Sequence, residues 1–361
     1  MRALTVSLGS RSYPVLVGRG LLNSPEALAE FLPGRQVLIV TNEVVAPLWL
    51  RHVRRSLDGL EVASVVLPDG EETKTLETLA DVFDALAEHG FHRDCTVLAL
   101  GGGVVGDLAG FAAACWHRGV ACVQAPTTLL AQVDAAIGGK TAVNVTAGKN
   151  LVGAFHQPLC VLADISTLST LGEREFRAGL GEVIKYGVGL DAGLFEWLEE
   201  TLPALLERDP ATLEETVYWC CALKSRIVVR DERESEGGQR ALLNLGHSFA
   251  HAIESATGYG GWLHGEAVAA GLVMASRLAV DLGTLDGADA GRIEALIAAA
   301  GLPVAPPPVG SGLLREYMHR DKKIIAGRLR LVLPLGIGRS ALRDDVPAPL
   351  LDACLAAADP R

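Results

Sequence analysis

The segment Gly246-His247-Ser248-Phe249-Ala250-His251 places two imidazoles four residues apart, which sets them on one helical face together with Glu254. His264, in His264-Gly265-Glu266, and Glu182, in Gly181-Glu182-Val183-Ile184-Lys185-Tyr186, add an imidazole and a carboxylate on two further helical stretches. Imidazole and carboxylate are ligands for a divalent transition ion, and two histidines with one glutamate leave coordination positions open for chemistry. Spacing alone points to His247 and His251 as the metal pair and leaves open which of the three histidines bind.

A second group of residues suits a nucleotide. Gly101, Gly103 and Gly106 fit G-x-G-x-x-G directly after an apolar run that ends at Leu100. Glycines there allow a tight turn and close backbone approach to a pyrophosphate, and the helix that follows offers its positive end. The turn follows the third strand of its region, and no acidic residue stands about 20 positions later, which departs from the usual dinucleotide fingerprint. A turn that only lets a helix pack closely is the competing reading. Asp69-Gly70-Glu71-Glu72-Thr73-Lys74 and Pro126-Thr127-Thr128 follow neighbouring strands, so three polar turns line one edge of a sheet and form a crevice.

The stretch Gly138-Gly139-Lys140-Thr141-Ala142-Val143-Asn144, continued by Gly148-Lys149-Asn150, supplies two ammonium groups and two amides for phosphate or carboxylate oxygens. It is not a P-loop, because Asp134 stands where that motif needs glycine.

The elements that carry these groups change character along the chain. Gln36–Thr41, Glu61–Leu67, Thr96–Leu100, Ala121–Ala125 and Cys160–Ile165 read as strands, separated by helical patterns such as Lys74–His89 and Asp107–Cys115. From Glu173 to Leu282 the periodicity is helical, with Pro203 marking a break or a new helix start. Arg328–Leu333, followed by Pro334-Leu335-Gly336-Ile337-Gly338, reads as a small hairpin. The expected fold is α/β: an N-terminal Rossmann-like parallel-sheet domain, residues 1–170, followed by a mainly α-helical metal-binding domain, residues 171–361.

Composition narrows the partners. The 361 residues are 49% hydrophobic, with 40 glycines and 17 prolines, as expected of a two-domain α/β protein. A net charge of −11 argues against nucleic acid or an anionic membrane as partner, though not against a small anion. Seven cysteines without C-x-x-C spacing suit a reducing compartment. The N-terminus alternates like a strand and lacks a signal-peptide core, and prolines 303, 306, 307 and 308 interrupt the long uncharged run Ala295 to Leu314, so a cytoplasmic protein is expected.

Taken together, the segments Leu67–Lys74, Gly101–Gly110, Gln132 to Asn150, Gly179–Gly187, Asp231–Glu234, Ala241–Glu254, Trp262–Ala270 and Arg320-Asp321-Lys322-Lys323 resemble the 3-dehydroquinate synthase family of sugar-phosphate cyclases. The resemblance spans about residues 5–340. It implies ligation of one divalent metal, zinc or cobalt, by Glu182, His247 and His264, and it moves His251 to the substrate. It implies NAD at Asp69, Gly70, Glu71, Glu72, Thr73, Lys74, Gly103, Val104, Val105, Gly106, Asp107, Thr127, Thr128, Lys140, Lys149, Thr167, Leu168, Ser169 and Thr170. Substrate contacts would come from Lys140, Asn150, Lys185, Lys224, Arg240, Asn244, His251 and Lys322, with Lys140, Asn150, Lys185 and His251 catalytic. Arg118 matches an arginine that reaches the neighbouring subunit's site in family dimers.

The implied reaction turns 3-deoxy-D-arabino-heptulosonate 7-phosphate into 3-dehydroquinate and phosphate, by transient oxidation, elimination, re-reduction and intramolecular aldol closure. Ala135-Ala136, Val145-Thr146 and Gly181 depart from the family's pattern without touching an implied ligand. The alternatives are another sugar-phosphate cyclase, a metal-dependent alcohol or glycerol dehydrogenase, and an NAD-binding regulator without catalysis. A dehydrogenase has no need of the anion-binding set Lys224, Arg240 and Lys322.

Overall fold

The apolar runs of the first half become strands of one sheet: Arg2–Val6 (β1), Tyr13–Gly18 (β2), Gln36–Asn42 (β3), Glu61–Leu67 (β4), Thr96–Gly101 (β5), Ala121–Pro126 (β6) and, after the separate hairpin Lys140–Val145 (β7) and Gly148–Phe155 (β8), Cys160–Asp164 (β9). The structure is a computed structural model that describes residues 1–235, 237–258, 260–320, 324–325 and 328–360. Lys322 falls outside the described residues.

The seven strands lie in the order β1-β2-β9-β6-β5-β3-β4. Only β1 runs antiparallel to its neighbour; the other pairings are parallel. The chain leaves β3 for β4 on one side, then returns to build β5, β6 and β9 on the other. The carboxyl ends of β3 and β5 thus flank the point where direction reverses, which is where open parallel sheets bind ligands.

Strand alternation sorts the core into two layers. Leu38, Val40, Val97 and Ala99 face Leu79, Val82, Leu108 and Ala112, from helices Leu76–Glu88 and Gly103–Cys115. Val37, Ile39, Leu98 and Leu100 face Trp49, Val53 and Leu57 on the opposite side. In chain order the helices are Pro25–Ala29 (α1), Arg51–Ser56 (α2), Leu76–Glu88 (α3), Gly103–Cys115 (α4), Glu173–Leu190 (α5), Ala192–Leu206 (α6), Pro210–Arg230 (α7), His247–Thr257 (α8), His264–Asp281 (α9), Gly287–Ala299 (α10), Ser311–Arg320 (α11) and Ala348–Leu355 (α12).

The chain divides into two compact units, Met1–Gly172 with Leu213–Arg233, and Glu173–Thr212 with Glu234–Arg361. A division at residue 170 assigns Leu213–Arg233 to the helical half; these residues instead belong with the sheet. Their anchors are specific. The N-terminal ammonium meets Glu214 at 3.1 Å, Arg2 meets Glu215 at 2.8 Å, and the Cys221 thiol donates to the Gln132 carbonyl at 3.3 Å. Helical periodicity reports that a segment has a buried face, and not what covers it.

Three further local expectations change. The Gly-rich stretch 138–150 forms the β7–β8 hairpin, with a register shift between Val143 and Val145. Helix α6 continues through Pro203, which lies in its last turns, where a missing N–H sacrifices one bond of a helix about to end. Arg328–Leu333 is not one strand: Arg328–Leu329 (β11) pairs with Ile324–Ile325 (β10), whereas Leu331–Pro334 (β12) pairs with Ser340–Arg343 (β13). Among the described residues no helix is long and apolar enough to cross a membrane.

Candidate active site

In the helical unit, three helices converge because their backbones can touch. A Cβ built on Gly181 of α5 would lie 2.3 Å from the Gly265 carbonyl oxygen of α9, and one on Gly271 of α9 would lie 2.3 Å from the Gly246 oxygen at the start of α8. Side chains are excluded from both crossings, so α5, α8 and α9 approach more closely than larger residues permit. Gly181, one of the positions that depart from the pattern expected of the resemblance, belongs to this contact. Glu266 starts α9 by accepting the Leu263 N–H at 2.8 Å, and Arg174 clamps its carboxylate at 2.7 and 2.8 Å.

The result is a cluster in which one ligand atom each from Glu182, His247 and His264 lies within 4.8 Å of the others. Glu182 Oε1 stands 3.4 Å from His247 Nε2 and 3.3 Å from His264 Nε2. Both rings are held from behind. His247 Nδ1 is 3.1 Å from the Leu245 carbonyl, and His264 Nδ1 is 3.3 Å from Glu254 Oε2. An Nδ1–H donated backwards leaves the Nε2 lone pair facing Glu182, the tautomer a metal needs. A buried carboxylate and two imidazoles aimed at one point fit a divalent ion such as zinc or cobalt, and these three residues would hold it.

Charge at the cluster is finely balanced. Burial pulls the His264 imidazole down, but hydrogen bonds and charge from Glu182 and Glu254 outweigh it and push the group up to about 10. The position favours a cation, whether proton or metal. Lys185, one turn along α5, ion-pairs with Glu182 Oε2, and both side chains are buried. His251 lies beside the cluster rather than in it, its ring 5.6 Å from His247 and 6.4 Å from His264 between centroids. The pair favoured by spacing is therefore not the pair that meets the carboxylate. A residue four positions on shares a helical face but sits one turn further from Glu182. Ahead of α8, Arg240 is almost fully buried, and Asn244 donates to Glu234 Oε1 at 3.4 Å.

In the sheet unit, the residues expected at NAD collect at the carboxyl ends of parallel strands. Gly101–Gly103 follows β5, Asp69–Lys74 follows β4, Thr127-Thr128 follows β6, and Thr167–Thr170 forms a short helical turn after β9. Asn42, at the end of β3, donates to Asp69 Oδ1 at 2.5 Å. A Cβ on Gly106 would lie 2.9 Å from Gln124 Oε1 of β6, so that glycine lets α4 pack on the sheet while the helix start stays at the crevice. One motif thus allows close packing and leaves a helix N-terminus open at the crevice. The Thr127 hydroxyl is buried without a hydrogen-bond partner among the described residues. A helix N-terminus beside an orphaned hydroxyl fits the pyrophosphate and polar groups of a dinucleotide.

Two buried ion pairs stiffen this unit. Lys74, 4% exposed, donates to Asp107 Oδ2 and Asn150 Oδ1, each at 2.5 Å. Burial pushes the Asp107 carboxyl up, opposed by Lys74. Lys224 meets Asp134 Oδ1 at 2.6 Å. Asp134 is a residue the sequence reading assigned no role; its only signal is an acid within the mostly apolar run Leu129–Ala136. Lys149 Nζ lies 3.9 Å from Glu71 Oε1, and Lys140 is exposed at the start of β7. Arg118 is exposed on a left-handed backbone, φ 66°.

Comparison with known proteins agrees with this arrangement. Family models described as 3-dehydroquinate synthase N-terminal and C-terminal match residues 64–178 and 179–324. A 3-dehydroquinate synthase of Hydrogenovibrio crunogenus is 51% identical over 356 residues, 98% of this chain and 99% of its own. The chain belongs to the 3-dehydroquinate synthase family. Solved structures extend the likeness to other cyclases. A 2-epi-5-epi-valiolone synthase of Streptomyces hygroscopicus with NAD+ and Zn2+ bound is 34% identical, with a TM-score of 0.87 over 96% of each chain. A 2-deoxy-scyllo-inosose synthase complexed with carbaglucose-6-phosphate, NAD+ and Co2+ is 27% identical, with a TM-score of 0.88 over 98% of this chain and 99% of its own.

Proposed function

We propose that this chain is the catalyst that converts 3-deoxy-D-arabino-heptulosonate 7-phosphate to 3-dehydroquinate and phosphate, a phosphate-eliminating carbon–oxygen lyase of aromatic amino acid biosynthesis. The observation that carries the reading is the convergence of Glu182, His247 and His264 beside Lys185 and His251, in a chain of this family.

When bound, NAD supplies reversible hydride transfer at a ring carbon, and the divalent ion supplies Lewis acidity to the oxygen that carbon bears. The chain's own residues do the rest. Asp69–Lys74, Gly103–Asp107, Thr127, Thr128, Lys140, Lys149 and Thr167–Thr170 hold and orient the cofactor. Lys224, Arg240 and Asn244 grip a carboxylate with charge-assisted hydrogen bonds, which selects a sugar acid over a neutral sugar phosphate. Lys140, Asn150 and Lys322 add donors for the anionic groups. Lys185 and His251 stand beside the ligand cluster without belonging to it, so they are placed to hold or move a proton at the reacting oxygens. With the cofactor and ion in place, transient oxidation would acidify the neighbouring C–H for loss of phosphate, and re-reduction, ring opening and aldol closure would follow while these residues hold the anionic groups.

In this reading the cofactor contacts lie in the sheet unit and the metal ligands in the helical unit, whereas substrate contacts come from both: Lys140, Asn150 and Lys224 from the first, Lys185, Arg240, Asn244 and His251 from the second. A homodimer in which Arg118 reaches the partner's site, located in the cytoplasm, completes the proposal. The exposed, left-handed Arg118 and the seven free cysteines support it.

The test is phosphate release from the sugar acid by protein loaded with zinc or cobalt and catalytic NAD+. One phosphate per substrate consumed, with no net NADH, is expected. NADH accumulating in step with product, or no phosphate at all, would overturn the reading.

A further inference from the structure

Asn144, in the β7–β8 hairpin, has polar groups that bridge two segments assigned to different ligands. Its backbone N–H donates to the Lys74 carbonyl at 2.7 Å. Its Nδ2 donates to Glu71 Oε1 at 2.8 Å and to the Glu71 carbonyl at 3.3 Å. Its Oδ1 accepts the backbone N–H of Asn150 at 3.0 Å. One half of the side chain thus grips the turn after β4, and the other half grips the strand that carries Asn150.

The grip on Asn150 matters because of that residue's backbone. Its φ of 53° lies in the left-handed region, which asparagine tolerates better than other side-chain-bearing residues and which neighbours can fix in place. Asn144 enforces it at the backbone. Lys74 enforces it at the side chain, where its ammonium bonds Asn150 Oδ1 at 2.5 Å. With Oδ1 committed, the Nδ2 donors are the part of that amide able to meet a ligand oxygen.

We propose that Asn144 is a positioning residue: it braces the Glu71–Lys74 turn against Asn150, so that one side chain sets the geometry of both the dinucleotide-binding turn and a substrate contact. This rests on the proposed function, which places NAD at the turn and substrate at Asn150. The bonding pattern makes a directional claim. The amide donates to the Glu71 carboxylate and accepts from the Asn150 N–H at once, so alanine loses both contacts. Aspartate keeps the acceptor and sets a like charge against Glu71.

The experiment measures NAD+ dissociation by calorimetry, which needs no turnover, and substrate KM and kcat at saturating NAD+. Asn144→Ala should weaken NAD+ binding and raise substrate KM by about tenfold each, with a smaller change in kcat. Asn144→Asp should weaken NAD+ binding at least as much. The Glu71→Gln, Asn144→Asp double variant keeps the total charge and exchanges donor for acceptor, so Asn144→Asp should weaken NAD+ binding less in the Glu71→Gln background than in the unsubstituted one. A general packing defect would not be repaired by that exchange. An Asn144→Ala variant within twofold of the unsubstituted protein in both constants overturns the proposal, as does an Asn144→Asp effect on NAD+ binding that is equal in the unsubstituted and Glu71→Gln backgrounds. If thermal melts show Asn144→Ala unfolded, the comparison of Asn144→Asp with the double variant decides alone. Unsubstituted protein that binds NAD+ but releases no phosphate would sink the proposed function, and this inference with it. Normal release with an indifferent Asn144 would sink this inference only.

Discussion

Gly265 of α9 lies so close to Ala178 of α5 that a Cβ built at 265 would stand 1.7 Å from the Ala178 carbonyl oxygen. His264 and Glu182 flank that contact, so the distance between the helices also sets the distance between two metal ligands.

Gly265→Ala should therefore act on the metal before it acts on the fold. Forcing a methyl group into a backbone contact costs about 1–3 kcal/mol and shifts α9 away from α5. The expected result is a metal affinity at least about tenfold lower, with a far-ultraviolet circular dichroism spectrum like that of the unsubstituted protein. Unchanged zinc affinity by competitive chelator titration would show that the crossing does not position the ligands.

Glu254 acts on the metal through His264. Replacing it with glutamine removes the carboxylate that faces Nδ1 at 3.3 Å while keeping a hydrogen-bonding side chain of the same size. Outer-shell losses of this kind weaken metal binding by about 10–100-fold. Glu254→Gln should fall in that range, and excess zinc or cobalt should restore phosphate release. Activity that stays low at saturating metal would place Glu254 in a different role.

His264→Ala removes a ligand outright. It should abolish phosphate release at any metal concentration while the protein still melts cooperatively, because the helix it begins is anchored by Glu266 and Arg174. Full activity after chelator treatment would remove His264 from the ligand set.

The cysteines offer a test of the fold without catalysis. Burial pushes the thiols of Cys95 up to about 11 and of Cys122, Cys221 and Cys354 up to about 12. Cys115 is the exposed one of the seven. A disulfide reagent at pH 8 should label one thiol quickly in native protein and seven after denaturation. A second fast thiol among Cys95, Cys122, Cys160, Cys220 and Cys221 would contradict the packing of the sheet unit, and a fast Cys354 that of the helical unit.

Much of this protein is written in local chemistry. The strands β3, β4, β5, β6 and β9 are apolar runs between turn residues, and the polar turns after them declare a crevice because parallel strands share one carboxyl edge. The family likeness is equally legible, since it rests on ordered segments spread along the chain. The types of ligand are likewise local: imidazoles and carboxylates are visible wherever they stand.

What only tertiary structure decided is which of those groups meet. His247 and His251 share a helical face, and nothing in a 3.6-residue period says which of them confronts a carboxylate 65 or more positions earlier. The crossing of α5, α8 and α9 chose His247 and left His251 beside the cluster. The same holds for Leu213–Arg233, a helix read with its neighbours in sequence that packs with the sheet, and for Asn144, whose bridging of Glu71 and Asn150 exists only once the β7–β8 hairpin lies against the turn after β4. Periodicity is a property of one element, while contact is a property of two, and the second is set by which backbones can approach.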